Sequence, residues 1–157
     1  MRKVEEEFGT FISYYRDRYV IIDDVVFSTD KKELVRYSPE KVDESYVIPE
    51  HVATIRDGAF QGSGHLKRVT ISKNIHHIGS RAFADSSSLA EIVWDTPKTT
   101  GGSYVFVNCP NLKTVITDDA QKIANYVHDN EGSPFINGAQ LIANGEVCDI
   151  SILEETK

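Results

Sequence analysis

At 157 residues the chain has room for one domain or one short repeat array. Its composition, 40% hydrophobic and 26% charged, is that of a globular protein, and no apolar run approaches the roughly 18 residues needed to span a bilayer. The net charge of −7 is divided as −3 over residues 1–45, +2 over 46–117 and −6 over 118–157, a distribution that disfavours nucleic acid and anionic lipid as partners.

The N-terminal stretch "MRKVEEEFGT" follows its basic pair with three glutamates instead of an apolar core, so it does not read as a signal peptide. As written, the chain is expected in the cytoplasm or as a piece of something longer. "YVIIDDVVFSTDKKELVRYS" reads as two or three strands with turns at Asp23-Asp24 and Asp30-Lys31.

From residue 46 onward the chain repeats itself with a period of 23. Phe60, Phe83 and Phe106 coincide, as do Leu66, Leu89 and Leu112. So do Tyr46, Val69, Ile92 and Val115, and Ile48, Ile71 and Trp94; Val52 matches Ile75 and Ile55 matches Ile78. Alternation at Val69 and Ile71 has period two and predicts a short strand with one buried face. "GSG", "DSSS" and "NCPN" supply turn chemistry at one register in each unit. A single unit buries too few apolar side chains to offset the ordering of its own backbone, so the units are expected to stack and share faces.

Beyond the repeats, "DDAQKIANYVHDN" predicts a short helix capped by Asp118 or Asp119, with Ile123, Tyr126 and Val127 on one face. "AQLIANGEVCDISI" predicts a hairpin turning at Asn144-Gly145. These flanks are expected to cover the array ends, which would otherwise expose apolar surface and open strand edges.

"LKRVTISKNIHHIGSRAFADSSSLAEI" and "YVIPEHVATIRDGAF" resemble the BspA-type (Treponema-type) leucine-rich repeat, the second keeping the family's Ile-Pro step at Ile48-Pro49. The likeness covers about 23–153, with the specific motifs in 46–115. It implies an α/β-type repeat solenoid, mostly β, coiling right-handed in 23-residue repeats between β-hairpin caps, with one short C-terminal helix. The division is a capping segment (1–45), about three repeats (46–117) and a capping helix and hairpin (118–157). The resemblance also implies surface adhesion or host-protein interaction at the cell surface or in secreted proteins. Two departures stand out. The family's cysteine is Ser63, Ser86 and finally Cys109, and Lys98 and Gly101 replace inward apolar residues, so regular packing is not expected over about 97–103.

Catalytic and metal chemistry is sought in vain. His76-His77 lie between two inward isoleucines and are expected to face solvent, while His51 and His65 lack partners at ligand spacing. Cys109 reads as a small buried residue and Cys148 as a strand residue, neither with an announced base; two cysteines make no disulfide framework, though one bridge stays open. Gly62-Ser63-Gly64 has no accompanying phosphate-loop pattern. No cofactor, metal or enzymatic activity is expected.

Surface remains. Between the core positions of successive strands, Arg68, Glu91 and Thr114 form one outward column and Thr70, Val93 and Ile116 another, continued by Val47. These six residues are the expected partner-binding strip, an apolar centre beside a charged flank. The partner is expected to be a protein or other macromolecule met without catalysis. The alternative is a structural or assembly element that oligomerises or spaces a larger complex, which sedimentation would distinguish.

Overall fold

A computed structural model describes residues 18–95, 100–120 and 139–148. Three antiparallel strands open it: β1 (Tyr19–Ile22), β2 (Val25–Ser28) and β3 (Glu33–Tyr37). Asp23 and Asp24 turn the first corner with φ of 50° and 61°, a left-handed pair that short polar side chains tolerate. At the second corner Asp30 accepts from the Ser28 hydroxyl (2.7 Å) and the Lys32 amide (3.0 Å).

Each coil then lays one strand in a front sheet and a two-residue strand in a back sheet. The first coil contributes β4 (Ser45–Val47) and β5 (Thr54–Ile55), the second β6 (Arg68–Ile71) and β7 (His77–Ile78). The third contributes β8 (Glu91–Trp94) and β9 (Thr100–Gly101), and the fourth opens with β10 (Thr114–Thr117). A hairpin of β11 (Gln140–Ala143) and β12 (Glu146–Cys148) follows, turning on Asn144 and Gly145 with φ of 52° and 83°. The back sheet runs β1-β2-β3-β5-β7-β9 and the front sheet β12-β11-β10-β8-β6-β4. The opening meander thus extends the back sheet at one end, and the closing hairpin extends the front sheet at the other. This is a mostly β solenoid of about four coils with a 23-residue step.

The core lies between the sheets. Phe60, Phe83 and Phe106 are buried and stacked, with centroids 4.8 and 5.3 Å apart and rings within 13° and 9° of parallel. Leu66, Leu89 and Leu112 form the second buried column. Tyr37, 23 residues before Phe60, adds a fourth ring 5.1 Å from it. Beside the rings, Ser63 donates to the Phe60 carbonyl (2.7 Å) and so does Ser86 (3.1 Å), while Cys109 donates to that of Phe83 (3.0 Å). The cysteine position of the repeat therefore needs a small buried donor, and serine meets that need.

Backbone requirements recur with the same step. Gly58, Arg81 and Tyr104 all have φ near +60°, as do Asp85 and Asn108 in the other left-handed position, which Gly62 opens at +74°. Gly79 is required for a different reason: a Cβ there would lie 2.3 Å from the Asp57 nitrogen, and at Gly102 one would lie 2.3 Å from that of Ser80. This close approach lets the Asp57 carboxylate accept from the Ser80 amide (2.8 Å) and the Ser80 hydroxyl from that of Ser103 (3.1 Å).

The irregularity expected over 97–103 is not found at 100–103. Gly101 pairs with Ile78 in register, and Gly102 donates to the Ile78 carbonyl at 2.8 Å. Backbone pairing holds this turn where an inward side chain is missing. Lys98 and the expected helix with Ile123, Tyr126 and Val127 lie outside the described residues. Among the described residues no helix is long and apolar enough to cross a membrane.

Candidate partner-binding face

The front sheet buries alternate residues of its four inner strands: Val69 and Ile71, Ile92 and Trp94, Val115 and Thr117, Leu141 and Ala143. The residues between them point outward. Parallel pairing sets Ser45, Arg68, Glu91, Thr114 and Gln140 in one column and Val47, Thr70, Val93, Ile116 and Ile142 in the next. The structure thus brings all six residues singled out in the sequence onto adjacent strands of one face. Arg68 is exposed, while Thr70, Glu91, Val93, Thr114 and Ile116 are half-buried by their neighbours.

Two residues of this face were not foreseen. Ile142 continues the apolar column on β11, and Val147 follows on β12, opposite Ile142. The column therefore crosses all six strands, about 24 Å at ~4.8 Å per strand. It is most open at its two ends, where Val47 is 68% and Val147 64% exposed. The alternation Gln140-Leu141-Ile142-Ala143 was the available signal.

Charge flanks the column on both sides. Arg68 Nε lies 3.0 Å from Glu91 Oε1, a close ion pair that lacks hydrogen-bond alignment and so holds the guanidinium loosely. On the opposite flank Asp95 and Asp118 occupy one register; burial first, and then the Asp118 charge, raise the Asp95 carboxyl above its usual range. The face offers a β-branched centre, a donor fork on one side and carboxylates on the other.

The other candidates offer less. His76 and His77 are exposed, and His51 Nδ1 lies 2.7 Å from the Lys31 carbonyl with its ring edge-on to Phe27. Among the described residues no three metal-ligating side chains converge. Both cysteines are free; burial pushes the Cys109 thiol up to about 11, far from a reactive thiolate at neutral pH. On the back sheet, Arg56 is engaged by Glu33 (3.0 Å) and by Tyr19, whose ring it also covers.

Comparison with known proteins agrees with this architecture. The family described as "BspA type Leucine rich repeat region" matches residues 41–136 in 6 copies. A leucine-rich repeat protein from Eubacterium ventriosum is 29% identical with a TM-score of 0.61, over 66% of this chain and 28% of its own. The pneumococcal vaccine antigen PcpA is 25% identical (TM-score 0.54), over 64% of this chain and 30% of its own. A leucine-rich cell surface protein from Faecalibacterium prausnitzii is 28% identical (TM-score 0.56), over 64% and 27%. The chain thus spans less than a third of the length of each. No curated protein matches it.

Proposed function

This chain belongs to the BspA-type leucine-rich repeat family, and on that premise we propose that it is a non-enzymatic binding module whose front sheet meets a protein partner. One observation carries the reading: an outward β-branched and apolar column runs unbroken across six strands, from Val47 to Val147, between polar flanks. A regular β face of this kind fixes the spacing of its side chains through backbone pairing, which no single loop does. Arg68 is the anchor, because it joins an apolar stem to a planar donor fork and its pairing with Glu91 orients it without locking it. The likeness to a cell surface protein and a vaccine antigen supports a place at the cell surface and an adhesive role.

The test places a photo-crosslinking residue at Val93, with Thr54 of the back sheet as control, and titrates the captured partner against Arg68→Ala combined with Ile116→Ser. Affinity should fall about tenfold or more while the melting temperature stays within about 2 °C, since both side chains lie outside the core. A folded double variant with full affinity would remove the front sheet from consideration.

A further inference from the structure

The outward column of the front sheet crosses the strands instead of following one, and that direction selects what can lie on it. Val47, Thr70, Val93, Ile116, Ile142 and Val147 are all β-branched and stand on six successive strands, about 24 Å in all at ~4.8 Å per strand. The N–H and C=O groups of paired strands lie in the plane of the sheet and bond to one another, so this face offers side chains only. An extended segment laid along the column would find no backbone partners and would leave its own polar groups unpaired. An α-helix pairs its own backbone, and its pitch of about 5.4 Å sets close to one turn on each strand. About 16 residues, at a rise of ~1.5 Å, cover the column.

The two flanks of the column differ in charge. On one, Arg68 and Glu91 offset each other 3.0 Å apart. On the other, Asp95 follows Val93 by two residues and Asp118 follows Ile116 by two, which puts both on the outward face roughly 6–7 Å along the strands from the column. Asp95 still donates its amide to the Ile71 carbonyl at 3.3 Å, so the pairing runs on to this residue. Val93 and Ile116 are partners in the ladder, so the two aspartates stand side by side near the middle of the sheet. Asp118 is exposed and Asp95 half-buried, and neither forms an ion pair with a cation among the described residues. Burial and, after it, the charge of Asp118 raise the Asp95 carboxyl, as two neighbouring carboxylates with no cation between them should.

We propose that the front sheet receives an amphipathic α-helix of a partner protein, laid along the column, with lysine or arginine on the border of its apolar stripe that faces Asp95 and Asp118. The inference deepens the reading of the front sheet as the partner face and rests on it. One apolar side chain per turn would settle on each strand from Thr70 to Ile142. A cation seated between the two carboxylates relieves their repulsion and is attracted to both. The other flank is internally offset, so the acidic flank also fixes which way the helix runs: reversing it would carry the basic border to the wrong side. The chain's net charge of −7 favours the same partner at longer range.

The full chain is titrated by fluorescence anisotropy with a stapled helical peptide of about 16 residues that bears leucine along one stripe and lysine along one border. Three counterparts carry glutamate for lysine, the same residues without the stripe, or a central proline in an unstapled chain. The lysine helix should bind at least about tenfold more tightly than each of them. Asp95→Asn with Asp118→Asn should weaken it about tenfold and leave the glutamate helix no worse bound, with the circular dichroism unchanged. Amide shifts on binding should fall at Thr70, Val93, Ile116 and Ile142. No binding, or equal binding of the lysine helix and its glutamate or stripe-less counterpart, overturns the proposal. Equal binding of the proline-broken peptide does so by making the occupant extended, and a concentration-dependent dimer that the helix dissociates does so by making it a second copy. With the captured partner, a loss of affinity on Arg68→Ala with Ile116→Ser but none on Asp95→Asn with Asp118→Asn keeps the face and refutes the basic helix. No loss in the first double variant removes the face itself.

Discussion

Phe83 sits in the middle of the ring stack, and its replacement by alanine is the most demanding test of the fold. The side chain is fully buried, with Phe60 4.8 Å away on one side and Phe106 5.3 Å away on the other. A buried aromatic of this kind removes about 150–250 Å² from water, worth roughly 4–6 kcal/mol at about 25 cal/mol per Å². Alanine retains part of that, which leaves about 3–5 kcal/mol. The cavity cannot close, because backbone bonds hold the coils apart: Phe60 donates to the Ala82 carbonyl at 2.7 Å and Phe83 to that of Val105 at 2.9 Å. The loss should therefore fall in the upper half of that range, a large share of the ~5–15 kcal/mol that stabilises a typical domain. Urea unfolding followed by circular dichroism and by the emission of the buried Trp94 measures it. A loss below about 2 kcal/mol with an unchanged urea dependence would refute the idea that the coils are held at fixed spacing around this ring.

Other perturbations test separate parts of the account. Tyr37→Phe should stabilise by about 1 kcal/mol in the same assay, because the buried Tyr37 hydroxyl has no hydrogen-bond partner among the described residues. Gly79→Ala drives a Cβ into the Asp57 backbone and should cost about 3 kcal/mol, while Gly64→Ala, with open space around it, should stay within about 0.5 kcal/mol. Asp95→Asn should raise the melting temperature slightly at pH 7, by about 1 °C. The sign follows from the raised carboxyl: the fold favours its protonated form, so the native aspartate's penalty is absent at low pH and appears as pH rises through its folded-state value. The benefit of asparagine should accordingly vanish near pH 3. Deleting residues 133–157 removes β11 and β12, leaves the edge of β10 open and should give an aggregating product, checked by light scattering.

The columns of Phe60 and Leu66 were legible because apolar residues recur at 23 with no insertion, and burial of a strand face at each turn demands that recurrence. Tyr37 obeys the same step but sits in an antiparallel strand whose surroundings do not resemble a repeat. Ile142 was hidden by arithmetic: Thr114 pairs with Gln140, a step of 26, so alignment at 23 misses the hairpin. The positive φ shared by Gly58, Arg81 and Tyr104 leaves no common residue type, since coil geometry imposes it on whatever side chain is present. Gly79 and Gly102 did carry a signal at the period, and it was the close approach of the preceding coil that gave it meaning. That β4 ends the front sheet among the described residues depends on which strand stops where, which composition and spacing do not encode.

Amide exchange measured with and without the captured partner tests the central claim, that the front sheet is the binding face. Slowed exchange should cluster at Arg68–Ile71, Glu91–Trp94, Thr114–Thr117 and the β11–β12 hairpin, with the back-sheet strands Glu33–Tyr37, Thr54–Ile55 and His77–Ile78 unchanged. Protection confined to those back-sheet strands would contradict it.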